Sequence, residues 1–151
     1  MKMDTILCSI DGRPQTTNRC RGEGTYERIM ENVACIKAKG FSNDLVARMT
    51  VSVEQRGDIY EDVMHILSLP LHSFTPHLIG VGFRHVHWQL DCNWDTPTEA
   101  RLAAWRRWRD TSYNPGITRL ADEFERVLRE EHRVLPIAPF TGVLHSWDCR
   151  R

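Results

Sequence analysis

Three short apolar runs, separated by segments that carry the start and stop signals of helices, set the limits on what this chain can become. Residues 5–10 read Thr-Ile-Leu-Cys-Ser-Ile, residues 45–51 read Leu-Val-Ala-Arg-Met-Thr-Val, and residues 83–90 end in His85-Val86-His87-Trp88-Gln89-Leu90. Runs this short and this apolar suit strands of a covered sheet. Between the first two, Ile29, Met30, Val33 and Ile36 recur at helical spacing, and Gly40 behind Lys37 and Lys39 is a stop signal. Between the second and third, Asp58 with Glu61 reads as an N-terminal cap, and Ile59, Val63, Ile66 and Leu67 form an apolar helical face. Strand and helix alternating at these lengths require crossover connections, and crossovers make a parallel sheet.

The expected strands are therefore 5–10, 45–52 and 83–90, and the expected helices 25–39, 58–68, 97–109 and 115–131. Thr96-Pro97-Thr98-Glu99 supplies an N-cap followed by proline at the first helical position. Asn114-Pro115 repeats that start, ahead of a stripe of Ile117, Leu120, Ala121, Phe124, Val127 and Leu128. Residues 11–24, rich in Gly, Thr, Asn and Arg, read as a long loop; residues 68–82 hold prolines that break any helix. The apolar segment 134–144, interrupted by proline, reads as a further strand or an extended arm. A parallel sheet needs both faces covered, and strands with helices on one side alone leave a face and two edges open. The chain is thus expected to be physically incomplete or paired with something, and marginally stable by itself.

Length and composition suit one soluble domain of 151 residues. Lys and Arg number 20 and Asp and Glu 20, so no net field favours nucleic acid or an anionic membrane. No apolar run approaches the roughly 18 residues of a membrane span. Met1-Lys2-Met3-Asp4 runs straight into the first strand without a cleavage site, so no signal peptide is expected and the cytoplasm is the expected compartment. The five cysteines, Cys8, Cys20, Cys35, Cys92 and Cys149, have no C-x-x-C spacing and read as reduced and scattered.

Chemistry in a parallel α/β sheet gathers at the carboxyl ends of the strands. The polar residues there are Ser9 and Asp11, then Arg48 and Thr50, then Gln89 and Asp91. Alternation puts Arg48 with Thr50, and Gln89 with Asp91, on one face each. An arginine inside a buried strand is costly unless an anion meets it. A ligand carboxylate satisfies it, and so does Asp11 or Asp91; on residues alone the structural ion pair comes first.

Taken in order, Ser9-Ile10-Asp11-Gly12, Arg21-Gly22-Glu23-Gly24-Thr25-Tyr26, Ala47-Arg48-Met49-Thr50-Val51 and His85 to Asp91 resemble the second half of a radical S-adenosylmethionine barrel, in its peptide-modifying branch. Ser112-Tyr113-Asn114-Pro115-Gly116-Ile117 and Ile137-Ala138-Pro139-Phe140 extend the resemblance over nearly the whole chain, the 68–82 stretch excepted. It implies an α/β partial (βα) barrel in a single domain, residues 1–92 forming βα units and 93–151 a helical extension. It also implies that Ser9 and Arg48, with Asp11 and Gln89 beside them, bind S-adenosylmethionine, and that the substrate is a peptide. The C-x-x-x-C-x-x-C motif that holds the family's [4Fe-4S] cluster is not in the sequence, so catalysis is expected only with a partner, the missing N-terminal half-barrel. Neither nucleic acid nor membrane is an expected partner.

Other readings stay beside this one. A truncated or split chain that acts only by interaction fits the same features. So does a metal-dependent hydrolase using His85, His87 and Asp91, although a pair of ordinary buried histidines is the plainer account. Arg21-Gly22-Glu23-Gly24 either cradles a phosphate at a helix start or simply closes a loop. Trp105 and Trp108 among Arg101, Arg106, Arg107 and Arg109 suggest single-stranded nucleic acid, or else core tryptophans beneath a solvated arginine face.

Overall fold

The computed structural model describes residues 3–55, 57–70, 82–91 and 97–148. Its centre is a three-stranded parallel sheet in the order β1-β2-β3, with β1 at Thr5–Ser9, β2 at Asp44–Val51 and β3 at His85–Leu90. The expected strands are all present within a residue or two, and both pairings are parallel. In chain order the helices are α1 (Pro14–Arg21), α2 (Thr25–Ala38), α3 (Ile59–Ser68), α4 (Glu99–Trp108), α5 (Asn114–Glu130) and α6 (Ala138–Asp148). A 3-10 turn at Val53–Gln55 follows β2.

Burial alternates along the strands. Leu45, Ala47, Met49 and Val51 of β2 and Val86 and Trp88 of β3 are buried, while their neighbours in sequence are not. The buried side meets Tyr26 and Val33 of α2, Ile59, Val63 and Ile66 of α3, and Leu120, Phe124 and Val127 of α5 in one core. The opposite side of the sheet carries Leu7, 60% exposed, with Ser9, Arg48, Thr50 and Gln89 exposed beside it. The expectation of an uncovered face therefore holds among the described residues.

Local signals act where the sequence placed them. Asp58 accepts from the backbone N–H groups of Tyr60 and Glu61 and starts α3. At the end of α2, Gly40 has φ +87°, the Phe41 N–H reaches the Ile36 carbonyl and the Gly40 N–H reaches that of Lys37, a Schellman stop.

Four expectations need correcting. The middle of the expected loop 11–24 is the helix α1, held from outside by Asp62 of α3, which accepts from the Arg13 N–H at 3.0 Å and from the Thr16 hydroxyl at 2.9 Å. The cap expected at Thr96 for α4 sits at Thr98, whose Oγ1 accepts from the Arg101 N–H; Thr96 lies outside the described residues. Asn114-Pro115 opens α5 as expected but not from a loop: Trp108, Tyr113 and Asn114 are all helical, and a π turn at Arg109–Tyr113 joins α4 to α5 without a break. Proline has no N–H to give the preceding turn, and a widened turn absorbs that loss. Last, the 134–144 segment makes a single parallel bridge, Ile137 with Val86, and then becomes α6. Most of the awkward 68–82 stretch, residues 71–81, lies outside the described residues, though the Gly82 N–H donates to the Pro70 carbonyl at 2.7 Å.

Candidate functional site

The carboxyl end of β1 turns sharply at Asp11-Gly12. Gly12 has φ +121°, and a Cβ there would collide with the Asp62 side chain, so only glycine fits. The Asp11 side chain is buried at 2% exposed. It accepts from Arg21 Nε at 2.6 Å, from Arg21 Nη2 at 3.0 Å and from the Thr50 backbone N–H at 2.9 Å. This carboxylate ties the end of β1 to the end of α1 and to β2. Its ion pair is with Arg21, not with Arg48.

On the uncovered face, register does the placing. Ser9 is the Cα partner of Arg48, Arg48 is the partner of His87, and Thr50 is the partner of Gln89. Ser9 and Arg48 thus stand side by side, as the sequence suggests. The cost expected for Arg48 does not arise, because this side of the strand is exposed. Its guanidinium donates through Nε at 3.1 Å and Nη2 at 2.5 Å to a single oxygen, Gln89 Oε1. That partner is a neutral amide, so the fork is held in place while its positive charge remains available to an anion.

The histidines are half-buried on the same open face rather than in the core. His85 Nδ1 lies 3.0 Å from Asp44 Oδ1, which orients its ring. Among the described residues no group of three or more His, Cys, Asp or Glu side chains is placed to hold a metal ion, so His85, His87 and Asp91 do not form such a group. The Arg21-Gly22-Glu23-Gly24 segment closes a loop: Gly22 and Gly24 have φ +98° and +73°, Arg21 is committed to Asp11, and the Tyr26 N–H in the first turn of α2 is capped by Asn18 Oδ1 at 2.8 Å.

Of the two tryptophans read as core, Trp108 is partly buried and packs against the core, while Trp105 does not. Helix α4 buries none of its side chains, and Trp105 is 38% exposed. The helix stands off the carboxyl ends of β2 and β3 and roofs a cleft of about 650 Å³ between itself, the 3-10 turn and the strand ends Val51 and Leu90. Sequence reasoning missed this cleft. The one signal for it was the weak amphipathicity of α4, whose apolar positions Leu102, Trp105 and Trp108 are flanked by charge on almost every side.

Lower on the helical side, Tyr26 Oη and His65 Nε2 lie 2.8 Å apart between α2 and α3. Burial pushes the His65 pKa below its ordinary value, with the Arg13 charge adding to the effect and Asp62 opposing it. Among the described residues no helix is long and apolar enough to cross a membrane. Comparison of the chain with family models, with curated proteins and with solved structures finds no match.

Proposed function

We propose that this chain supplies S-adenosylmethionine- and peptide-binding strands of a cytoplasmic radical S-adenosylmethionine-type barrel, completed by a half that carries the iron–sulfur cluster. The observation that supports this reading is the register on the uncovered face, where Ser9, Arg48 and His87 stand abreast and Gln89 holds the Arg48 fork. The polar groups suit the cofactor's own: Arg48 N–H groups not committed to Gln89 match a carboxylate, and the Ser9 hydroxyl matches a ribose hydroxyl or an amine. Asp11 serves this face indirectly, by anchoring the Thr50 backbone next to it.

Among the described residues no set of cysteines fits a cluster. Cys8 is half-buried in β1, while Cys20 and Cys35 are exposed on α1 and α2; these three do not converge. Cys92 and Cys149 lie outside the described residues. Cleavage of the cofactor in that family needs an electron from the cluster, so that step belongs to the partner half and not to these strands.

A second reading, a chain that acts only by interaction with such a half, draws on Leu7, a large apolar side chain exposed on the same face. One experiment separates the two. The DNA around the coding sequence is read for a C-x-x-x-C-x-x-C frame, the two halves are joined, and S-adenosylmethionine binding is measured by calorimetry. Arg48→Ala weakens binding by about 1.5–3 kcal/mol, the scale of a charge-assisted hydrogen bond, and Arg48→Lys fails to restore it. Unchanged affinity with the joined fold intact removes Arg48 from the cofactor site and leaves the interaction reading.

A further inference from the structure

The cleft under α4 is separate from the Ser9–Arg48 face, since its floor, Val51 and Leu90, lies on the side of the sheet opposite to Arg48 and Gln89. We propose that it is a binding site for an uncharged, planar aromatic group, either free or as the side chain of a peptide. The proposal stands whether or not the chain belongs to a radical S-adenosylmethionine barrel.

Its position is where α/β sheets bind ligands, outside the carboxyl ends of adjacent parallel strands. Its volume of about 650 Å³ falls within the usual range of small-ligand sites. The walls are those of such a site as well. Val51, Val53, Leu90, Leu102 and the two indoles of Trp105 and Trp108 give an apolar lining, and Glu54, Asp91 and Arg101 add charges of both signs. A lining of mixed sign suits the dipole of an amide or a ring N–H better than a net ion.

The choice of an aromatic occupant comes from how the two indoles are held. Each is fixed by a contact with the π turn. The Arg109 guanidinium lies 5.2 Å from the centre of the Trp105 ring, and the Tyr113 ring lies 5.2 Å from Trp108 with 31° between planes. Tyr113 is itself tied to the core, because Trp88 Nε1 donates to its hydroxyl at 3.1 Å and Trp88 packs edge-on against Phe140. Trp108 and Tyr113 also pack against the core, which makes the Trp108 indole a rigid wall of the cleft. Two oriented indoles in an open cavity give a flat ring both stacking and edge contacts, which add to simple burial. The π turn that supports both is a type of distortion frequently found at functional sites.

The test uses 19F NMR line broadening of two probes, 5-fluoroindole and N-acetyl-5-fluorotryptophanamide, titrated with the whole chain. Both probes broaden with the wild-type chain. Trp105→Ala weakens binding by about tenfold, the scale of one aromatic contact with its buried area. Leu102→Glu, which puts a charge among the apolar walls, abolishes it, and Leu7→Ser on the far face of the sheet leaves it unchanged. Trp105 and Leu102 belong to a helix without buried residues, so both variants are expected to fold, and circular dichroism checks this. Tighter binding of the amide marks a peptide side chain as the occupant, and tighter binding of the indole marks a free aromatic molecule. No broadening with the wild-type chain overturns the site, as does broadening that survives both cleft variants or that is lost in Leu7→Ser.

Discussion

On one face of the sheet, Ile10, Leu45, Ala47, Met49 and Val86 are each at most 2% exposed; on the other, Leu7 is 60% exposed, and Ser9, Arg48, Thr50 and Gln89 are open to solvent. The same strands build both. Parallel sheets are ordinarily covered on both sides and read as unbroken apolar runs, whereas alternation of apolar and polar residues belongs to antiparallel sheets with one wet face. Here a parallel sheet alternates. The difference teaches that the open face is not a core waiting for more helices. Its residues are mostly polar, registered with one another and partly engaged, with an apolar patch where Leu7 stands beside Val46.

The sharpest way to break this contrast is to truncate neighbours that point in opposite directions. Met49→Ala on the covered face should cost about 2–5 kcal/mol, and Thr50→Ala beside it should stay within about 0.5 kcal/mol, both by urea denaturation. Equal costs would mean that the two faces are not distinct in solution. Asp11 tests the boundary between them. If it is the anchor its contacts describe, Asp11→Ala lowers stability by about 2–3 kcal/mol, because Arg21 and the Thr50 N–H lose their acceptor at once. A variant of full stability would return Asp11 to the role of a ligand residue.

Leu7→Ser is the mildest change on the open side. It should shift the urea midpoint by no more than about 0.5 kcal/mol while raising the concentration at which the chain stays monomeric in sedimentation. A large loss of stability would show that Leu7 is covered within the chain. The smallest effect belongs to the helical layer and concerns pH. His65 has a lowered pKa in the fold, so the unfolded chain takes up its proton first as the solution is acidified. Stability is therefore complete above the unfolded value of about 6.5, falls as pH drops through it, and levels off below the folded value. His65→Gln should flatten that part of the curve, and an unchanged slope would assign it to other groups.

Much of the fold was legible because its determinants are local. Asp58 caps its own helix two and three residues on, Gly40 stops the helix just before it, and the apolar strands announce themselves. The misses share a cause. Helix α1 is polar, and its first turn is capped by Asp62, a residue 49 positions from Arg13, so no local pattern reveals it. Helix α6 hides behind Pro139, which sits in a first turn, where proline does no harm. Side-by-side placement of Ser9 and Arg48 is an expectation that comes with the resemblance, and the register of β1 on β2 has the two as partners. That Arg48 would meet Gln89, and that Asp11 would be taken by Arg21, depended on rotamers and on the turn of a loop, which period does not encode. Trp108 packs against the core as its spacing suggests, but Trp105 on the same side does not, because apolar spacing says which side of a helix is apolar and not whether anything lies close enough to fill the space.

The π turn at Arg109–Tyr113 has a rotational consequence. A π turn is equivalent to one extra residue slipped into a continuous helix, and each residue of an α-helix advances the azimuth by about 100°. Helix α5 is locked to α3 by the close approach of Gly116 to Ile59, so the phase of α4 is measured from that lock. Removing Thr111 takes out the extra residue and keeps α4 in phase, whereas straightening the same five residues to α geometry would turn Leu102, Trp105 and Trp108 about a quarter of the way around the rod. The strands and core would keep their places, while the roof of the cleft would present its arginines instead of its indoles.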